Sequence, residues 1–320
     1  MAYSTGGATS HDNFFTSLDS FLTTNGWTQD IFNTTTNEGA WHKGTVYAQI
    51  RWDGTDNFTL FHSLGISGSI PGTNDSGNGD TGSAPHTAER RCNVVGTLSA
   101  ATYYFFADGD YFHCALEVAT GRFRHFGWGI LDKEGDWTGG EYCYGHIWDQ
   151  SAGNIDAPAA SVHTVGLDSR NDGLTNQDCA TVHIEGFPSQ GGTSKWGVVT
   201  SLTAAGNDTA GVARVLLDGF MRDGPWPNAV LFIPANVNDG FVPMCFIEVY
   251  YRLESPSPDR YYLLGVQPDV MLINMKNINP GDEFSVGADT WKVFPTVRKQ
   301  TLENNTEESW NGGIAYKKVP

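Results

Sequence analysis

The sequence is poor in positive charge. Lys and Arg together number 19 against 36 Asp and Glu, so the formal net charge is −17 at pH 7, and no basic run occurs. Nucleic-acid binding by an outer surface needs clustered Lys and Arg to neutralise phosphates. The composition therefore disfavours sequence-specific and non-specific nucleic-acid binding. An acidic surface keeps a protein soluble, and in a lumen it would let DNA pass without sticking.

Cysteine is scarce and irregularly spaced. The chain has five cysteines and no C-x-x-C pair: Cys92, Cys114, Cys143, Cys179 and Cys245. The odd number and wide spacing argue against a disulfide framework and against a structural zinc site. We expect buried free thiols in a reducing compartment.

Long hydrophobic runs and catalytic signatures are also missing. No window approaches the ~18 uninterrupted apolar residues of a membrane span, and the first residues lack a secretory signal pattern. There is no P-loop, no G-x-G-x-x-G before a helix, no H-E-x-x-H and no nucleophile elbow. The sequence predicts no membrane span, no cofactor, no catalytic residue and no metal ligand, in a protein made in a cytoplasm.

Glycine and aromatic residues are abundant instead. Gly accounts for 38 of 320 residues and aromatic residues for 12%, whereas ~7% Gly is usual. Many glycines and aromatics with few charges are typical of turn-rich β structure. We predict a mainly β protein, built of antiparallel sandwich or barrel-like units with one N-terminal amphipathic helix.

The helix is predicted just after the N-terminus. Ser10 is a suitable N-cap, and Asn25-Gly26 is a stop signal. One apolar stripe has helical spacing: Phe14, Phe15, Leu18, Phe21 and Leu22.

Strands are predicted from alternation between turn signals. Asp53-Gly54 marks a hairpin between two strands. Residues 103–106, 111–118 and 122–130 follow as a meander with tight turns. Further strands are predicted towards the C-terminus: 245–253, 261–265, 269–275, 283–286, 290–298 and the last residues, 312–320.

These elements suggest four segments. We predict an N-terminal helix plus hairpin (1–66), a Gly/Ser-rich loop (67–90), a central antiparallel β domain (91–255) and a small C-terminal β unit (256–320).

The stretch from Arg124 to Trp148, RHFGWGILDKEGDWTGGEYCYGHIW, looks most like a site. It is predicted to be a strand, a turn and a short strand, in which glycines permit turns and close strand approach. Large aromatic side chains are expected to fill the core or a subunit interface. The packing or interface candidates of the whole chain are Trp128, Trp137, Tyr142, Tyr144, Trp148 and Trp291.

Three chemical alternatives stay open. His113, His125 and His146 lie in or beside the meander and can converge on a metal, although their spacing does not require it. Asp75, Asn78 and Asp80 offer oxygens to calcium, without the closing Glu of an EF-hand. Carboxylates flank Trp137 as in a glycoside hydrolase or a sugar-binding groove: Asp132, Glu134, Asp136 and Glu141.

Three segments resemble virion structural proteins of tailed bacteriophages. They are MAYSTGGATSHDNFFTSLDSFLTTNGWT at the start, HFGWGILDKEGDWTGGEYCYGHIW in the middle, and QPDVMLINMKNINPGDEFSVGADTWKVFPTVRKQ with GGIAYKKVP at the end. The resemblance covers about half of the chain. It is similarity of class and does not identify one part of the particle.

The resemblance implies a non-enzymatic structural component of the tail, neck or baseplate. Such a protein works through contacts with copies of itself and with other virion proteins, after assembly in the host cytoplasm. The alternative is a receptor- or carbohydrate-binding virion protein with a host surface glycan as partner. Neither repeats nor a coiled coil for a trimeric fibre occur, which favours the structural role.

Overall fold

The computed structural model describes residues 2–52, 54, 57–63, 65–66, 90–93, 98, 100–145, 164–165, 168–169, 180–185, 196–201, 213–215, 242–253, 260–295 and 312–318. Most of these residues are in strands, and α1 (His11–Thr24) is the one helix among them. The strands are arranged in antiparallel sheets with a half-barrel, which confirms the predicted mainly β class. No helix in this described part is long and apolar enough to cross a membrane.

The strands are numbered in chain order. They are β1 (Ala2–Ala8), β2 (Thr28–Asn33), β3 (Glu38–Lys43), β4 (Val46–Trp52), β5 (Asn57–Ser63), β6 (Arg90–Asn93), β7 (Ala101–Asp108), β8 (Tyr111–Ala119), β9 (Arg122–Ile130), β10 (Asp132–Lys133), β11 (Thr138–Gly145), β12 (Thr164–Val165), β13 (Asp168–Ser169), β14 (Ala180–Glu185), β15 (Trp196–Ser201), β16 (Ala213–Val215), β17 (Met244–Leu253), β18 (Arg260–Asn274), β19 (Glu283–Val286), β20 (Asp289–Pro295) and β21 (Gly312–Lys318).

The helix begins and ends where the sequence predicts. The Ser10 hydroxyl accepts a hydrogen bond from the backbone N–H of Asn13, which satisfies one of the free donors of the first turn. Gly26, after the last turn, has a φ of 82°. The five predicted apolar side chains are all buried, together with His11.

Two sheets contain nearly all the strands. The small sheet has the order β2-β3-β4-β5-β6, and β4–β5 is the hairpin predicted around Asp53-Gly54. The large sheet has the order β1-β7-β8-β9-β11-β14-β15-β16-β17-β18-β21-β20-β19, with β10 paired to β18. Strands β7, β8 and β9 form the predicted meander.

Both faces of the meander are buried. Because side chains alternate along a strand, Phe112, Cys114 and Leu116 of β8 pack with α1 and the small sheet. Ala115 packs on the other face, against strands β17, β18, β20 and β21. A third, smaller cluster contains Trp291 and Ile278. The meander is therefore the middle layer of the molecule.

Strand β18 corrects the prediction of two separate strands at 261–265 and 269–275. It runs as one strand from Arg260 to Asn274. Its pairing with β17 is interrupted, since Val266 lies opposite Glu248 and Met271 lies opposite Phe246. Residues 267–270 thus form a bulge, consistent with Pro268, which has no N–H for the ladder.

The pairing around the bulge also bears on the predicted segments. Strand β10, in the predicted central domain, pairs with β18 just before the bulge, and β21 pairs with it just after. The predicted boundary at 255/256 falls between β17 and β18, which are neighbours in one sheet. The segment boundaries stay a prediction.

Candidate functional site

The bulge of β18 faces β8 and β11 in the protein interior, and β11 belongs to the stretch from Arg124 to Trp148, which we call the aromatic-rich segment. Polar side chains from both sides meet there, in a region that we call the interior network. Its members are Tyr111, His113, His125, Tyr142, Tyr144, Gln267, Pro268, Asp269 and Tyr316.

His113 uses both ring nitrogens inside the protein. Its Nε2 is 3.1 Å from the carbonyl oxygen of Pro268, and its Nδ1 is 3.0 Å from the hydroxyl of Tyr144. A carbonyl oxygen can only accept, so Nε2 carries the proton and Nδ1 of the neutral ring accepts from the tyrosine. His113 thereby joins β8 to β11 and to the bulge of β18.

His125 repeats this arrangement one strand away. Its Nε2 lies 3.0 Å from the carbonyl oxygen of Pro295, and its Nδ1 lies 2.9 Å from the hydroxyl of Tyr316. Tyr316 interacts in turn with Tyr144. The two histidines are therefore ends of one polar connection between the meander and the C-terminal strands.

Burial keeps both imidazoles neutral. Desolvation lowers the pKa of His113 to about 3 and that of His125 to about 4, although the carbonyls of Pro268 and Pro295 act in the opposite direction. Desolvation also raises the pKa of Tyr316 well above its usual value. The neutral imidazoles and the tyrosine hydroxyls supply hydrogen bonds between strands of the large sheet without burying a charge.

Gly127 makes the close approach of these rings possible. A Cβ at this position would lie 2.5 Å from the carbonyl oxygen of Phe112, 2.8 Å from the Tyr144 ring and 2.9 Å from Nδ1 of His113. The HFGWG part of the aromatic-rich segment thus has its glycine where a histidine and a tyrosine need space.

The outer end of the network is acidic. The hydroxyl of Tyr111 donates a hydrogen bond to Asp269, and burial together with this carboxylate raises the pKa of Tyr111. Partial burial, and to a smaller extent the negative charge of Asp269, raise the pKa of Asp132. Lys317 is 3.6 Å from the Asp269 carboxylate and offsets part of the negative charge.

The carboxylates predicted around Trp137 are not gathered into one site. Glu141 is buried and lies 2.7 Å from Nδ1 of His183, whereas Glu134 and Asp136 are exposed in the turn. Trp137 itself donates from its indole N–H to the carbonyl oxygen of Leu264, at 3.0 Å. The turn is thus attached to β18.

The other sequence-predicted residues lie in different places. Trp128 is fully buried and stacks on Trp41 with a centroid distance of 6.4 Å, while Trp291 belongs to the third core cluster. Tyr142 and Tyr144 are fully buried in the interior network. Trp148 and His146 lie outside the described residues.

Of the two predicted metal sites, the histidine site lies partly on described residues and the calcium site does not. In the part of the chain that the structure describes, no three His, Cys, Asp or Glu side chains are grouped so as to hold a metal ion. His113 and His125 instead use their nitrogens on tyrosines and carbonyls. The calcium candidates Asp75, Asn78 and Asp80 lie outside the described residues.

Several residues of the interior network and of the Glu141–His183 pair were not predicted from the sequence. Tyr111, His183, Asp269 and Tyr316 stand in ordinary strand patterns, and their partners are far away in the chain. Pro268 carries the one local signal, because proline inside an apolar strand marks an edge or a bulge.

Comparison with known proteins adds no relative. No family model matches this chain, and no curated protein matches it significantly. Support for a function therefore comes from the residues themselves.

Proposed function

We propose that this protein is a non-enzymatic structural component of a tailed-phage virion, in the tail, neck or baseplate. It acts through subunit–subunit contacts in a symmetric assembly. Its partners are copies of itself and other virion proteins, assembled in the host cytoplasm.

The observation that carries the proposal is the complete burial of the histidines and of Tyr144 in the interior network. His113 of β8, and His125 and Tyr144 of the aromatic-rich segment, are side chains that could act in acid–base chemistry, and all three are fully buried and hydrogen-bonded to other protein groups. A group without solvent contact does not reach a substrate, and its hydrogen bonds hold distant strands of the large sheet in position. This is the role of such groups in a rigid building block.

The position of the resembling segments supports the same proposal. The middle segment contains His125 and Tyr144, and the last segment contains Pro268 and Tyr316. These residues meet in the interior network, at 2.9 Å between His125 and Tyr316. The middle and last of the three resembling segments therefore pack together in one structural unit.

The test is the mass of the purified protein by light scattering, with negative-stain images of the particles. A closed ring or stack, formed alone or with other virion proteins, is the expected result. A monomer that joins no virion protein at any concentration contradicts the proposal.

The alternative, a receptor- or carbohydrate-binding virion protein, needs aromatic rings on the surface. Trp128, Tyr142 and Tyr144 have essentially no exposed surface and do not contact a glycan in this fold. A stable elongated trimer with signal on a glycan array would favour the alternative over the structural role.

A further inference from the structure

The outer edge of β1 has no pairing partner among the described residues. Strand β1 is the first strand of the large sheet, and among the described residues it pairs with β7 alone. The pairing is continuous from Ala2 to Ala8, so the edge is regular over seven residues. Its sequence, AYSTGGA, has no charge and no proline.

The other edge strands carry features that discourage pairing. Strand β19 has four residues, and its Glu283 carboxylate binds Lys292 and Lys318 at 3.0 Å. Strand β2 contains Asp30 and a register shift between Gln29 and Ile31. Charges, shortness and irregular pairing are the usual protections of sheet edges. Strand β1 has none of them.

We propose that β1 pairs antiparallel with β1 of a second copy of this chain, across a two-fold axis, so that two large sheets become one. This inference rests on the proposed function and deepens it by naming one subunit contact. A two-fold contact uses the same patch on both copies, so the strand must be complementary to itself.

Strand β1 meets that condition in a register centred on Thr5. Thr5 then faces Thr5 of the second copy, and Tyr3 faces Gly7. No atom lies within 4 Å of a Cβ built at Gly7, so an aromatic ring can cover this glycine. The fold already has such a pair, since Tyr103 lies opposite Gly6 and its ring occupies the space of the missing Cβ. Aromatic cover of a glycine is a known way to stabilise strand pairing.

Electrostatics also favours this strand as the contact. Two copies of a chain with net charge −17 repel each other. Residues 2–8 bring no charge to the contact, and backbone hydrogen bonds supply the affinity when a strand is added to an edge. Salt screens the remaining repulsion between charges that are more than about 8 Å apart at physiological ionic strength. We expect self-association to strengthen as salt increases.

A charge-swap experiment tests the pairing directly. Thr5 is exposed, and its hydroxyl donates to the carbonyl oxygen of Tyr103 at 2.9 Å. Thr5→Glu and Thr5→Lys each place like charges opposite one another, and we expect each variant alone to self-associate at least about fivefold more weakly. An equimolar mixture of the two is expected to regain the lost affinity. Thr5→Val is the matched control, because it loses the same hydroxyl without adding charge.

Cross-linking tests the register. Residues directly opposite in an antiparallel pair have Cα atoms about 4.5–5.5 Å apart, within the range of a disulfide. Thr5→Cys is therefore expected to give a disulfide-linked dimer on mild oxidation. Ser285→Cys, on the exposed face of β19, is the matched control and is expected to stay uncross-linked at the same concentration.

The outcomes separate this inference from the proposed function. If the wild type assembles while the Glu and Lys variants assemble equally well, the β1 contact is overturned and the structural role is not. If the wild type stays monomeric at all concentrations but joins other virion proteins, the β1 contact is again overturned alone. If it stays monomeric and joins none, both are overturned.

Discussion

Nδ1 of the buried His125 lies 2.9 Å from the hydroxyl of Tyr316, a residue 191 positions further along the chain. This contact joins β9 of the meander to β21, so that side chains far apart in sequence hold two distant strands together in the protein interior. Because Nε2 is occupied by the carbonyl of Pro295, the tyrosine hydroxyl is the donor to Nδ1.

Removing that donor tests its contribution. Tyr316→Phe leaves the buried Nδ1 of His125 without its hydroxyl, and we expect the free energy of unfolding to fall by about 1–3 kcal/mol in urea denaturation. Tyr104→Phe is the control, because Tyr104 is half-buried and packs on Phe294 through its ring. Equal losses in the two variants would contradict the role of the hydrogen bond.

Acid is expected to destabilise the protein through its buried histidines. In the unfolded chain histidine titrates near pH 6.5, whereas the folded pKa is about 3 for His113 and about 4 for His125. Between these values the unfolded state binds more protons than the folded state. The contribution of the two histidines to the free energy of unfolding is therefore complete above pH 6.5 and decreases as the pH falls towards 4. Each histidine contributes a slope of at most about 1.4 kcal/mol per pH unit.

Urea denaturation at several pH values measures this slope. The matched variant is His125→Gln, which removes one titrating group and keeps a polar side chain. Its stability is expected to be lower than that of the wild type at pH 7, and to change less between pH 6.5 and 4. An unchanged slope would show that the acid sensitivity has another source.

Gly127 is expected to tolerate no methyl group. Gly127→Ala places a Cβ against backbone and against both rings of the His113–Tyr144 pair, and overpacking of this kind costs about 1–3 kcal/mol. Gly65→Ala is the control at a position with open space, and we expect its melting temperature to stay within a few degrees of the wild type. Similar effects of the two substitutions would refute the close-approach argument.

The buried pair of Glu141 and His183 is expected to be sensitive to the loss of one partner. Glu141→Leu removes the acceptor 2.7 Å from Nδ1 of His183, and breaking a buried pair costs about 3–5 kcal/mol. Glu141→Gln keeps an acceptor oxygen and is expected to lose less. Melting temperatures are expected to decrease in the order wild type, Glu141→Gln, Glu141→Leu. A reversal of the two variants would contradict a structural role.

Trp137→Ala probes the turn of the aromatic-rich segment. It removes the indole hydrogen bond to Leu264 and the contact of the ring with Lys133, and we expect loss of folding or of assembly. Trp128→Ala, in the core, is expected to cost more, about 3–5 kcal/mol. Unchanged assembly of Trp137→Ala together with lost glycan binding would instead favour the carbohydrate-binding alternative.

Local pattern was sufficient for the helix, the hairpin around Asp53-Gly54 and the meander, but it predicted neither β1 (Ala2–Ala8) nor β2 (Thr28–Asn33). The stripe of Phe14, Phe15, Leu18 and their neighbours requires a helix, and Asp-Gly turns between alternating runs require hairpins, because both signals act within a few residues. The break predicted before residue 269 failed because pairing with β10 and β21 on either side carries β18 through Pro268.

The sequence by itself determined the mainly β class, the helix with its N-cap, and the aromatic character of the segment from Arg124 to Trp148. Only the tertiary structure decided that His113 and His125 face tyrosines and proline carbonyls rather than each other, and that Gly127 leaves room for them. The physical reason is that these contacts depend on which faces of distant strands are brought together. The alternation of side chains along a strand can be read from the sequence. Which residues pack against each face of the strand depends on how distant strands pair.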